Sequence, residues 1–171
     1  VLHKDNYLVS TDAHALAVIG VKEKETGDDV VYDKAGRKFD NIGRYPKYKA
    51  VIPSDNAFVK KFPLKDLITK IKGIVKAQGC VTENGLHGVI VFDIKNIYFN
   101  PAIMLRGLTP LYKNGVKDVN LYVGAPNRAI LLKDANDEKQ LALCMPVMGG
   151  FEHKIVASIY GDYTGDGGLK G

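Results

Sequence analysis

The chain has 171 residues, 46% of them hydrophobic and 25% charged, which is typical of a globular protein with room for one domain and excludes a disordered chain. No run of about 18 apolar residues occurs, and the first ten residues lack the basic-then-apolar order of a signal peptide, so we expect a cytoplasmic protein without a membrane partner. The net charge is +5, and residues 54–115 carry the excess with nine basic and four acidic side chains.

The N-terminal third reads as short strands joined by turns. Two β segments are predicted within 7–21, with a turn near Asp12, because Ser10, Thr11 and Asp12 are turn formers between β-branched flanks. A hairpin is predicted over 30–40, an extended segment over 41–53, and a strand from about Ala57.

Two amphipathic helices are predicted in the basic stretch. The first covers 63–79, with Pro63 at its first position and Gly79 as its stop. The second covers 101–115, with Asn100 as its cap and Gly115 as its stop, and Pro110 is expected to kink it or end it early. Its predicted apolar face consists of Met104, Leu105, Leu108, Leu111 and Tyr112.

Further strands are predicted around both helices, at 88–93, 96–100, 118–124, 128–134 and 140–147, and one more near 154–160. Consecutive antiparallel strands with helices on one face define an α+β fold.

Catalytic and metal-binding signatures are missing from the sequence. There is no phosphate-binding loop, nucleophile elbow or zinc motif, and the four histidines lack ligand spacing. Cys80 and Cys144 lie among apolar residues and are interpreted as small buried hydrophobes. We therefore predict no enzyme activity, cofactor or metal, and the Asp12–His14 pair remains the one catalytic alternative.

The basic helix faces suggest a contact with duplex DNA. Lys65, Lys72 and Lys76 lie on one side of the first helix, and Arg106 and Lys113 lie on one side of the second. Such faces can bind phosphates without reading sequence, although an ordinary solvated surface has the same pattern.

Four segments resemble the sliding clamp, the β subunit of bacterial DNA polymerase III. VSTDAHALAV (9–18) is similar to the clamp's VATDGHRLAV, and GRYPKYKAVIP (43–53) to its GRFPDYRRVLP. YFNPAIMLRGL (98–108) resembles the start of its last helix, and the segments 127–134 and 140–148 resemble its C-terminal strands ending in MPMRL.

The resemblance implies a fold and a size. A clamp domain has two βαβββ-type halves, with two helices packed on one face of a curved antiparallel sheet. Residues 1–148 would form one such domain, with hairpins and an extended linker in 1–53 and the helix-containing core in 54–148. Residues 149–171 would be an extra tail, partly flexible. A ring would need six such chains, so we expect a monomer or a dimer.

The resemblance also implies two surfaces. The helices would contact double-stranded DNA through Lys65, Lys72, Lys76, Arg106 and Lys113. A hydrophobic groove would dock linear motifs of a DNA polymerase or another replication protein. Carried over by position, the groove residues are Thr11, His14, Leu16, Pro46, Val51, Asn100, Leu143, Met145, Pro146 and Val147.

Departures from the family pattern remove polar groups from the rim of the implied groove. The family's Gly and Arg in the TDGHRL turn are Ala13 and Ala15 here, and Ala50 replaces an Arg beside Val51. The sequence thus predicts a clamp-like replication protein that contacts duplex DNA and docks peptides. The alternative is a peptide-binding adaptor or decoy with the clamp fold, no ring and no DNA binding.

Overall fold

The computed structural model describes residues 2–4, 6–21, 30–32, 35, 37–39, 47–83, 89–94, 97–146 and 154–158. Within these ranges the chain forms two helices, α1 (Leu64–Glu83) and α2 (Pro101–Lys113). The strands are β1 (Leu2–Lys4), β2 (Tyr7–Thr11), β3 (Ala15–Gly20), β4 (Val30–Tyr32), β5 (Lys38–Phe39), β6 (Ala57–Pro63), β7 (Val89–Ile94), β8 (Ile97–Phe99), β9 (Asp118–Val123), β10 (Ile130–Asp134), β11 (Leu141–Cys144) and β12 (Lys154–Ser158).

Nine of the described strands form one antiparallel sheet in the order β5-β4-β1-β2-β3-β11-β10-β9-β6. β3 pairs with β11, with Leu16 opposite Leu143, and so joins the N-terminal hairpin to the last strand of the helix-containing part. A second sheet has the order β12-β7-β8. Its strand β12 lies in the predicted tail, pairs in parallel with β7 and confirms the strand expected near 154–160.

The two helices lie on one face of the large sheet, as the α+β prediction requires. The larger core cluster combines helix residues such as Leu67, Ile71 and Leu108 with strand residues such as Leu121 and Ile130. Gly107 lies where α2 packs on the sheet, and a Cβ there would meet the Cβ of Ala142 at 3.4 Å, an ordinary van der Waals contact. Antiparallel strands with helices on one face therefore confirm the predicted fold class.

The opposite face of the sheet has its own apolar cluster. Val9, Leu16, Val18, Leu131, Leu141 and Leu143 are buried there against Tyr48. Tyr48 belongs to a 3-10 turn, Tyr48–Val51, in which the Ala50 N–H donates to the Lys47 carbonyl at 2.9 Å. The extended conformation predicted for 41–53 is thus wrong over this turn, since burying Tyr48 requires the chain to bend. Residues 41–46 lie outside the described part.

Pro110 does not end helix α2 early, and Tyr112 departs from the predicted apolar face. The helix continues through Pro110 to Lys113, and Gly115 (φ +88°) closes it, since the N–H groups of Asn114 and Gly115 donate to the Pro110 and Tyr112 carbonyls. Tyr112 is 44% exposed because it lies off the buried stripe of the helix. Asn100 caps the helix as predicted, its side chain accepting from the Ala102 N–H at 2.9 Å.

Candidate functional site

The carboxylate of Asp12 makes three of the hydrogen bonds that hold the turn between β2 and β3. Oδ1 of Asp12 accepts from the His14 N–H at 3.0 Å and from the Ala15 N–H at 2.8 Å. Its Oδ2 accepts from Nη1 of Arg106 at 2.7 Å. Ala13 follows with φ +72°, a left-handed conformation that closes the turn. The turn is therefore fixed from its own backbone and from helix α2.

These contacts set the ionisation of Asp12. Partial burial alone would raise the pKa of this carboxyl group, but the Ala15 and His14 N–H bonds and the Arg106 guanidinium outweigh it and hold the pKa below its ordinary value. A lowered pKa means that the carboxylate stabilises the fold above the ordinary aspartate pKa. This contribution is lost as the pH falls through the lowered value.

An apolar groove of about 680 Å³ lies beside this turn. Its walls come from the turn and β3, from the chain between Tyr48 and Ser54, and from Asn127–Ala129, Leu143 and Met145. Val51 is 56% exposed and Met145 is 41% exposed, so two large apolar side chains face solvent. The Met145 N–H donates to the His14 carbonyl at 2.9 Å, which connects the two sides. A concave apolar site with a few polar groups is typical of ligand or peptide binding.

Six of the residues predicted for the groove line it together: Thr11, His14, Leu16, Val51, Leu143 and Met145. Asn100 does not line it, because its side chain caps α2. Pro146 is partly buried but is not part of the wall. Pro46 and Val147 lie outside the described residues.

Sequence reasoning missed several groove residues. Tyr48 and Ile52 lie in the segment that resembles the clamp, yet their apolar character alone does not distinguish a groove wall from a core. Arg128 lines the groove and its Nη1 donates to Oδ1 of Asp55 at 2.7 Å. Arg128 lies two residues before β10, which pairs with β11, and the local sequence pattern carries no signal for its place in the groove.

The basic side of α1 is open to solvent. Lys65, Lys72 and Lys76 are all exposed and recur at spacings of seven and four residues, which places them on one side of a helix. In the part of the chain that the structure describes, none of the three forms an ion pair. The ammonium groups are therefore available to an external anion.

The basic side of α2 is arranged differently. Arg106 and Lys113 are exposed, but the Arg106 guanidinium is already paired with Asp12. Both side chains border an open cavity of about 620 Å³ that is also lined by the apolar residues Ile19, Leu105 and Pro110. Lys113 is thus the free cation of this predicted pair within the described structure.

The catalytic alternative receives no support from the described residues. Both oxygens of Asp12 are engaged by backbone N–H groups and Arg106, so this carboxylate shapes a turn. Burial, and after it the negative charge of Asp12, raises the pKa of Cys144 to about 12, which keeps the thiol protonated. No group of three or more metal-binding side chains occurs over the described ranges. The buried environment of Cys144 confirms its interpretation as a hydrophobe, whereas the side chain of Cys80 lies outside the description.

No described helix has the length and apolar character needed to cross a membrane.

The fold of the described residues, an antiparallel sheet with two helices on one face, is that of the sliding clamps. Solved structures of bacterial DNA polymerase III β subunits share it. The β chain from Streptococcus pneumoniae matches with a TM-score of 0.58 and 18% identity, over 86% of this chain and 55% of the other. The β subunit from Streptococcus pyogenes matches with a TM-score of 0.59 and 15% identity, over 86% and 56%.

A third match is the sliding clamp from Pseudomonas aeruginosa bound to griselimycin, with a TM-score of 0.53 and 13% identity, over 85% of this chain and 56% of the other. The chain thus spans about half the length of the clamps that it matches. No family model and no curated protein matches the sequence. At these identities the likeness establishes the fold.

Proposed function

We propose that the chain is a clamp-like replication protein that docks linear peptide motifs of a DNA polymerase or another replication protein and contacts duplex DNA non-specifically. The observation that carries this proposal is the groove. A clamp fold presents an open apolar groove of about 680 Å³, with Val51 and Met145 exposed at its surface. Exposed apolar side chains in a concave site gain free energy when an apolar anchor covers them. The role is that of an accessory protein, not of an enzyme.

The duplex contact is proposed from α1. Three exposed lysines on one side of a helix can each approach a phosphate, and each contact releases condensed counterions. Lys113 adds a fourth cation on α2. Because these groups contact only the backbone of DNA, the binding is independent of base sequence.

The duplex contact is tested by neutralising the α1 lysines. In the triple variant K65Q/K72Q/K76Q we expect the negative slope of log affinity against log salt to become shallower by about three units, since each phosphate contact contributes about 0.9. Duplex binding by the unaltered chain should weaken tenfold or more between about 50 and 200 mM salt. Fluorescence anisotropy with a labelled random duplex measures both quantities.

The matched control removes the same charge elsewhere. Lys38, Lys47 and Lys139 are exposed lysines outside both helices, so K38Q/K47Q/K139Q should keep the slope. Equal losses in the two triple variants would show that net charge, and not the α1 face, binds the duplex. An absence of duplex binding at low salt would leave the peptide-binding adaptor as the remaining function.

The groove is tested with griselimycin, the compound bound to the Pseudomonas aeruginosa clamp. We expect the chain to bind it, and M145E or V51E to weaken binding at least tenfold, because a carboxylate placed in an apolar groove is desolvated by the ligand. Isothermal titration calorimetry measures the affinity. Phe58 is 55% exposed and does not line the groove, so F58E is the control and should bind normally.

Since Met145 is 41% exposed, M145E should fold. Unchanged griselimycin affinity in both M145E and V51E would contradict the groove assignment.

A further inference from the structure

Arg106 connects the proposed DNA face to the groove. Its Nη1 donates to Oδ2 of Asp12 at 2.7 Å, from helix α2 to the β2–β3 turn. The other oxygen of Asp12 accepts from the N–H groups of His14 and Ala15, and both of these residues line the groove. The Asp12 carboxylate therefore bonds both to the groove wall and to Arg106, which is predicted from the sequence to contact the duplex.

The Asp12–Arg106 pair is accessible to a competing anion. The Arg106 side chain is 62% exposed and that of Asp12 is 36% exposed. An ion pair this open to water contributes little to stability. A phosphate can accept two parallel N–H bonds from one guanidinium, which makes arginine a preferred phosphate ligand. Exchange of the carboxylate for a phosphate is thus energetically accessible.

The geometry points to Asp12 as an internal competitor that occupies Arg106 until a duplex phosphate displaces it. This inference rests on the proposed duplex contact and goes beyond it, because the Asp12 side chain then lowers the affinity of the protein for DNA. It also connects the two sites, since releasing Arg106 removes one of the three hydrogen bonds that Asp12 accepts at the groove turn. Asp12 is a positioning residue in this scheme.

The substitution D12N tests whether Asp12 competes with a DNA phosphate for Arg106. The asparagine oxygen can still accept from the His14 and Ala15 N–H groups, so the turn is kept, while the neutral amide no longer holds Arg106. We expect duplex affinity at about 50 mM salt to rise roughly fivefold or more and the salt slope to steepen by about 0.9, the equivalent of one added phosphate contact. A merely structural role of Asp12 would not steepen the slope.

The control separates this effect from the loss of a negative charge. Asp66 is an exposed acid in the first turn of α1, and D66N removes the same charge without releasing an arginine. We expect D66N to leave the slope unchanged. In the background R106Q, D12N should no longer steepen the slope, which completes a double-mutant cycle.

A second measurement follows the connection to the groove. The backbone ¹⁵N–¹H signals of His14 and Ala15 should shift when duplex is added to the unaltered chain, and should stay in place in R106Q. Equal effects of D12N and D66N, or a D12N effect that persists with R106Q, would overturn the inference while leaving the duplex contact standing. Absence of duplex binding in every variant would overturn both.

Discussion

Ala13 has a φ of +72°, a conformation in which the Cβ of an L-residue approaches the following carbonyl oxygen. The clamp family that this segment resembles has glycine at the corresponding position. The turn keeps its shape with alanine because Asp12 and Thr11 hold it from both sides, with the Ala13 N–H donating to Oγ1 of Thr11 at 3.2 Å. Local hydrogen bonds thus offset the strain of one residue.

We expect Ala13→Gly to stabilise the fold. Relief of the left-handed strain gains about 1–2 kcal/mol, and the greater flexibility of glycine in the unfolded chain costs about 0.5–1 kcal/mol. The net gain of about 1 kcal/mol or less should raise the melting temperature by about 1–4 °C, measured by circular dichroism.

Ala125 is an exposed turn residue without a positive φ, so A125G should lower the melting temperature and serves as the control. Equal losses in A13G and A125G would show that the strain at Ala13 contributes nothing to stability.

At the scale of the elements, the presence of both helices and of most strands could be predicted from the sequence because their signals are local, but α1 continues past Gly79, its predicted stop, to Glu83. Asn100, Pro101 and Gly115 mark the ends of α2 by their own backbone chemistry. Leu64, Leu67, Ile71 and Ile74 repeat at helical spacing and are all buried in α1. The local sequence around such residues predicts a helix without information from the rest of the chain.

The errors lie where a distant contact decides the local structure. Tyr48 lies in a 3-10 turn because its side chain is buried against the face of the large sheet opposite the helices, a contact with no local sequence signal. Tyr112 looked like a core residue by spacing alone and is exposed.

The candidate site was predictable in part for the same reason. The resemblance groups Thr11, Leu16 and Met145 in one site, and the structure places all three in the groove. It gave no indication that Arg106 pairs with Asp12, because the two residues are 94 positions apart in sequence. Pairings across a sheet and a helix are set by packing, not by local pattern.

At the scale of the whole molecule, the described large sheet ends in two edges. One edge is β5, a strand of two residues. The other is β6, which pairs on one side with β9 and has a register shift between Phe58 and Lys60. An open edge invites pairing with another chain, and lysines, prolines and irregular register are the usual obstacles. Lys60, Lys61 and Pro63 supply them on β6.

We therefore expect the chain to sediment as a monomer of 18.7 kDa at micromolar concentration. Replacing the edge charges in K60T/K61T should produce concentration-dependent association, because threonine favours strands and no longer repels a second basic edge. Sedimentation velocity across a hundredfold concentration range distinguishes the two cases. The matched control K47T removes an exposed lysine outside the edge strand and should remain monomeric. A dimer or larger species formed by the unaltered chain would contradict this prediction, because it would show that the β6 edge or another surface associates in spite of these features. In such an assembly the duplex could contact the α1 lysines of more than one chain.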